Sequence, residues 1–280
     1  MSPTSTSRRS DTKLRSIELR SPECSEEVNL HEVSSFLSSL FPSVSVKVRQ
    51  TVFSEVKRSS RERIARFLAA SRVKDISRPF EPFEPMFGEV DYELRVLDND
   101  ARPGGIVYDA RRIEELFIEL MRADNPLSKA TIIMTDRLVS TYSRDDLRHH
   151  LRTVVPGFPS IISIPGMVEA PAKPRQYYVL QQRLGSAGGK TIDIELLKGA
   201  FKGRFLDYGM PEMTEVAKGL ALQAVVHHLT LKPFCPDRKC RLFNAHWQED
   251  LLSSQSGSPG LCPKHARQLA RLGKDPALEW

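Results

Sequence analysis

Apolar side chains recur along the chain with two different periods, and the switches between them outline the elements. Ser16 to Arg20 alternates apolar and polar positions as a half-buried strand does. From Asn29, a residue suited to an N-cap, Val33, Phe36, Leu37 and Leu40 fall at helical spacing until Pro42 stops the run. Val44, Val46 and Val48 restore strict alternation, so the first unit reads strand, helix, strand. A helix from Ser60 to Arg72 turns Ile64, Phe67 and Leu68 inward. Pro79, Pro82 and Pro85, interleaved with Phe80, Phe83 and Phe87, then impose an extended segment, because proline lacks the amide a helix interior needs. The phenylalanines would pin that segment to the body.

Val90, Tyr92, Leu94 and Val96 alternate again, which predicts a strand over Glu89 to Leu97. Pro103-Gly104-Gly105 marks a turn, Ile106 to Tyr108 a short strand, Ala110 to Arg122 a helix, and Ala130 to Met134 a buried strand. Leu138 to Tyr142, Leu151 to Val155 and Ser160 to Val168 read as further short strands, broken by Pro156-Gly157 and Pro165-Gly166. Pro174 opens a helix carrying Tyr177, Tyr178 and Leu180, and Gly188-Gly189 is a loop. A long helix from Pro211 to Leu229 sets Met213, Val216, Leu220, Ala224 and Val225 on one face. Repeated strand–helix–strand order predicts a mixed α/β (α+β) fold, a mixed sheet with packed helices. The divisions expected are a disordered tail over 1–13, a body over 14–210, and a helix with a small metal-held lobe over 211–280 in the same globular unit.

With 280 residues, 40% of them hydrophobic and 27% charged, the chain can bury a sizeable core, which excludes disorder throughout. No window approaches the roughly 18 to 20 consecutive apolar residues of a membrane span, and Met1 to Lys13 lacks an apolar signal region. The expected location is the cytoplasm, with no membrane partner. Forty-one basic against 35 acidic residues give +6, which permits nucleic-acid contact without requiring it. Arg58, Arg61, Arg63, Arg66 and Arg72 read as the solvated face of their helix rather than a phosphate track.

Three of the four cysteines lie close together. Four residues separate Cys235 from Cys240 across a Pro-Asp turn, and two separate Cys262 from His265 ahead of a helix. Two short chelating loops joined by a spacer make a closed tetrahedral site, each loop supplying one edge. Three thiolates and an imidazole select zinc over calcium or magnesium, and four protein ligands leave no open position, so this zinc is structural. Cys24 is far away in a polar loop and stands apart.

The run from Glu215 through His228 into Cys235 resembles the archaemetzincins, zinc metallopeptidases of the metzincin group. Their active-site helix carries HExxHxxGxxH, followed by C-x4-C and a later C-x2-C. Cys235 and Cys240 match the first cysteine pair, and Cys262 with His265 matches the second, with histidine replacing its last cysteine. The resemblance assigns these four to the noncatalytic zinc. Thr135-Asp136-Arg137-Leu138 is similar to a segment before that family's edge strand. In the catalytic motif, His228 falls on the second histidine, but Ala224, Val225, Leu231 and Phe234 replace the first histidine, the glutamate, the glycine and the third histidine. Within Gly157 to Leu269, the stretches Val168 to Pro174, Lys202 to Asp207 and Asn244 to Glu249 resemble an archaeal family labelled as metallopeptidases. The resemblance implies a zinc-binding protein of that group whose peptidase motif is eroded, with a peptide or protein as substrate or partner.

A rebuilt hydrolytic site is the alternative. His246 and Glu249 lie three apart in a segment that reads as helical, and with His228 they would supply two imidazoles and a carboxylate to a second zinc. The bland reading of His228 is a histidine satisfied at a helix C-terminus. His149-His150 reads as a surface pair, since neighbours in a strand point to opposite faces, and Tyr177-Tyr178 as packing. No G-x-S-x-G occurs, and Gly188-Gly189-Lys190-Thr191 lacks the upstream glycine of a phosphate loop. A zinc-knuckle nucleic-acid or protein-binding module, using Arg238, Lys239, Arg241 and Lys264, ranks last, because the loop lacks the interleaved aromatics of single-strand readers.

Overall fold

The computed structural model describes residues 12–99, 101–121, 127–186, 199–256 and 260–280. Its strands are Ser16–Arg20 (β1), Ser45–Arg49 (β2), Val107–Asp109 (β3), Lys129–Thr135 (β4), Leu138–Ser143 (β5), Arg148–Leu151 (β6), Val154–Val155 (β7) and Ser160–Ser163 (β8). Its longer helices are Leu30–Leu40 (α1), Arg61–Ala70 (α2), Phe87–Asp98 (α3), Ala110–Met121 (α4), Ile164–Glu169 (α5), Arg175–Ser186 (α6), Glu212–Thr230 (α7), Gln248–Gln255 (α8) and Pro263–Lys274 (α9). Asn29 caps α1 by accepting the amides of His31 and Glu32. Five strands form a sheet in the order β2-β1-β4-β8-β7, parallel except for β7, and β3-β5-β6 form a second sheet. The fold is therefore mixed α/β with helices packed on mixed sheets.

The side-chain alternation of β4 divides the interior in two. Ala130, Ile132 and Met134 join a core built with α1, α7 and α9, whereas Ile133 joins a second core built with α2, α3 and α4. Of the two neighbours on β8, Ile162 enters the first core and Ile161 the second. The helix α7 lies inside the first core and is buried almost all round, including Gly219, Leu222 and Val226 as well as the face that the sequence singles out. Its nineteen residues thus form a central helix rather than a surface one.

Three local expectations are corrected. Residues 89–97 lie in α3, not in a strand: Val90, Glu93, Val96 and Leu97 are buried at helical spacing, and Glu89 accepts the amide of Met86 at 3.0 Å to start the helix. The strand expected over Ser160 to Val168 ends at Ser163, whose hydroxyl accepts the Gly166 amide at 2.9 Å and caps α5, with a proline in the first turn. Phe87 is 86% exposed and pins nothing, whereas Pro85 is buried. The Gly188-Gly189 loop, Arg122 and residues 1–11 of the tail lie outside the described residues.

Glu93 is wholly buried because it belongs to an ionic cluster between α3, β3 and the turn after β4. The Arg137 guanidinium donates to Glu93 at 2.8 Å and to the Tyr108 hydroxyl at 2.9 Å, and Tyr108 donates to Glu93 at 2.7 Å. Arg72 reaches the same carboxylate at 2.6 Å. Removing one partner of such a buried pair costs about 3–5 kcal/mol, since the other charge is stranded. The cluster fixes α3 against the sheet. The arginines of α2 are likewise paired, Arg61 with Asp98, Arg63 with Glu119 and Arg66 with Glu84.

Candidate metal centre

The first chelating loop begins where α7 ends. Leu231 adopts a left-handed φ of 56° and its amide donates to the His227 carbonyl, which turns the chain out of the helix and toward Cys235. The Cys235 amide then donates to Leu242 O at 2.8 Å, the Cys240 amide to Asp237 O at 3.0 Å and the Phe243 amide to Cys240 O at 2.8 Å. These bonds close the Pro236-Asp237 turn, and the Asp237 amide approaches the Cys235 sulfur at 3.4 Å. The second loop is helical. Cys262 is the N-cap of α9 and Pro263 its first residue, so one turn of helix carries His265 back over the cap. The Arg241 amide, donating to Gly260 O at 2.9 Å, ties the two loops together.

The four ligand atoms of Cys235, Cys240, Cys262 and His265 all lie within 4.8 Å of one another. Zinc bonds of about 2.3 Å to sulfur and 2.0–2.1 Å to nitrogen, set at the tetrahedral angle, require edges of about 3.8 Å for S–S and 3.6 Å for S–N. Cys235 Sγ and Cys262 Sγ are 3.8 Å apart, Cys240 Sγ and His265 Nδ1 3.6 Å, and Cys262 Sγ and His265 Nδ1 3.1 Å. The 3.8 Å separation is nearly twice a disulfide bond of about 2.05 Å, and all four cysteines are free. Cys235, Cys240 and His265 are buried. Burial pushes the Cys240 thiol up to about 12, so a cation at the centre would supply the charge its thiolate needs. At Cys262 burial raises the thiol, but the His265 amide and the neighbouring sulfurs outweigh it and hold the thiol low. Burial, with the Lys264 charge, lowers His265 and keeps its imidazole in the neutral, ligating form.

His228, His246 and Glu249 are not brought together. His228 is buried at the end of α7, its Nε2 3.0 Å from the Leu127 carbonyl and its ring 5.1 Å from that of Phe158. His246 is exposed and precedes α8: Trp247 holds an extended backbone at the N-cap, so His246 and Glu249 share no helix face. Glu249 accepts from Arg204 at 2.6 Å. Among the described residues, the Cys3His group is the only set of three or more His, Cys, Asp or Glu side chains placed to share a metal. His149 and His150 turn to opposite partners, Ser140 and Asp146. Tyr177 packs edge-on against Phe201 and Phe205. Arg241, expected on the basic surface, is buried and paired with Glu215 at 2.9 Å. Sequence spacing did not reveal that inward turn or the Gly260 tie.

By fold and site, then, the chain is a mixed α/β protein with a Cys3His cluster compatible with zinc binding. It belongs to the probable metallopeptidase family DUF6775, whose model matches residues 13–272. No curated protein and no solved structure matches the chain. Among the described residues, no helix is long and apolar enough to cross a membrane.

Proposed function

We propose that this is a zinc-binding protein of the archaemetzincin-like group, in which Cys235, Cys240, Cys262 and His265 hold one structural zinc and the peptidase motif is eroded. The observation that carries this reading is the convergence of three sulfurs and an imidazole nitrogen within 4.8 Å of one another, with separations of 3.8 Å for Cys235–Cys262 and 3.6 Å for Cys240–His265 that equal the edges of a zinc tetrahedron. Four protein donors leave no position for a reacting water, so the ion would clamp α9 to the loop after α7. The loss of peptidase chemistry is supported by the burial of Ala224 and Val225 in the first core, where the resemblance expects a histidine and a glutamate. It is supported too by the engagement of His228 with Leu127. A peptidase zinc needs about three protein ligands, an open position and a carboxylate base. A protein or peptide partner retained without cleavage fits this reading.

Metal analysis of the purified protein tests it. The expected result is one zinc per chain, lost in Cys240→Ala, with no chelator-sensitive peptidase activity. Two zinc ions per chain, or full zinc retention in that variant, would overturn the assignment.

A further inference from the structure

The helix α9 turns His265, Leu269, Leu272 and Gly273 into the protein and leaves Lys264, Arg267, Arg271 and Lys274 exposed. At 100° per residue these four cations fall within an arc of about 80°, and at 1.5 Å per residue they extend over about 15 Å. The helix contains no acidic residue. Arg271 pairs with Glu279 beyond its end, while Arg267 donates to the Pro263 carbonyl at 3.2 Å. The stripe also has a neighbour of its own sign at its C-terminal end. Past Lys274 the surface opens into a hollow of about 650 Å³ whose lining includes Arg15, Ser43 and Ser128. Asp275 enters this region, paired with Lys13 at 2.8 Å.

We propose that this face of α9 docks the phosphate backbone of a nucleic-acid duplex. A linear row of cations on a rigid helix matches the regular charge of a duplex, which carries about one phosphate per 1.7 Å of its axis. A protein interface would need a buried aromatic or aliphatic anchor at its centre; the apolar residues that α9 exposes, Pro263, Ala266 and Ala270, are small and lie beside the row of cations rather than within it. The absence of exposed aromatics along α9 argues for backbone contact rather than base stacking on a single strand. The binding is independent of sequence, because it is made without base-edge contacts.

The test is titration of the full chain with a fluorescent DNA duplex across a salt series. Four phosphate contacts, with Arg271 exchanging Glu279 for a phosphate, predict a slope of log K against log salt of about −3.6, which is about a 150-fold weakening between 50 and 200 mM salt. Lys264→Gln and Lys274→Gln should each reduce the slope by about one. The combined Lys264→Gln, Arg267→Gln, Arg271→Gln, Lys274→Gln variant should lose most binding while keeping the wild-type circular dichroism; if it misfolds, the two single variants carry the test. Failure of the wild type to bind at 50 mM salt, slopes unchanged in the single variants, or displacement by poly-glutamate as effective as by unlabelled duplex at equal charge would overturn the proposal.

Discussion

The imidazole of His228 sits where the dipole of α7 favours a cation, yet burial dominates and lowers its pKa from 6.5. The neutral ring donates from Nε2 to Leu127 O. In the unfolded chain the same ring titrates near 6.5, so below that pH the unfolded state binds more protons than the folded one. Its contribution to stability is therefore complete above 6.5 and is lost as the pH falls toward the folded pKa. In His228→Gln the amide can still donate to Leu127, but nothing titrates. Urea midpoints measured between about pH 7 and pH 5 should fall less in this variant than in the wild type. Equal falls would assign the effect to the other histidines whose pKa values burial lowers, His149, His227 and His265. The Cys3His cluster was legible in the sequence because each chelating pair is local, with only two or four residues between its members. The Arg137–Glu93–Tyr108 cluster was not. Its members are scattered in the chain, and each charged residue by itself reads as surface.

Between elements, the contact of α9 with α1 shows how a backbone approach is set by one missing side chain. A Cβ on Gly273 would stand 2.3 Å from the carbonyl oxygen of Leu40. That oxygen ends α1 and cannot rotate away as a side chain could. Gly273→Ala should therefore destabilise the protein by about 1–3 kcal/mol despite alanine's better helix propensity. Denaturant midpoints give the check, and a variant as stable as the wild type would show that the two helices can separate freely. Elements were read correctly where the apolar period was unambiguous, as in α1, β1, β2 and β4. The period misled at α3, where Val90, Leu94 and Val96 also fit alternation and the buried Glu93 disguised the helical face. It misled at α8 as well, because a backbone bend at His246 is set by Ala172, whose amide donates to the His246 carbonyl at 2.9 Å from a distant loop.

Across the whole molecule, the lobe that carries the Cys3His cluster is continuous with the body. The first core contains Ile17 and Leu19 of β1 together with Cys235, Cys240, Leu269 and Leu272. The chain also closes on itself there: the Leu14 amide donates to Pro276 O at 2.9 Å and the Leu278 amide to Thr12 O at 3.2 Å. Chelation of the proposed zinc should accordingly lower the melting temperature of the entire chain in a single transition. Far-ultraviolet dichroism and the fluorescence of Trp247 and Trp280 would report it together. A separate early transition seen by fluorescence alone would mean that the lobe melts independently.

The place of β4 between two cores bears on how the chain assembles. Its partner β1 precedes it by more than a hundred residues, as Ser16 aligns with Lys129. Neither core has its shared wall until that pairing forms, and a slip of one residue would send Ile132 and Met134 into the wrong core and draw Ile133 out of its own. Loop closure over such a distance must be made before the contacts reward it, which slows folding. Helices α1 to α4 are therefore synthesised, and their apolar faces exposed, before the strand that separates them emerges. On the ribosome this interval is when the chain is most open to aggregation.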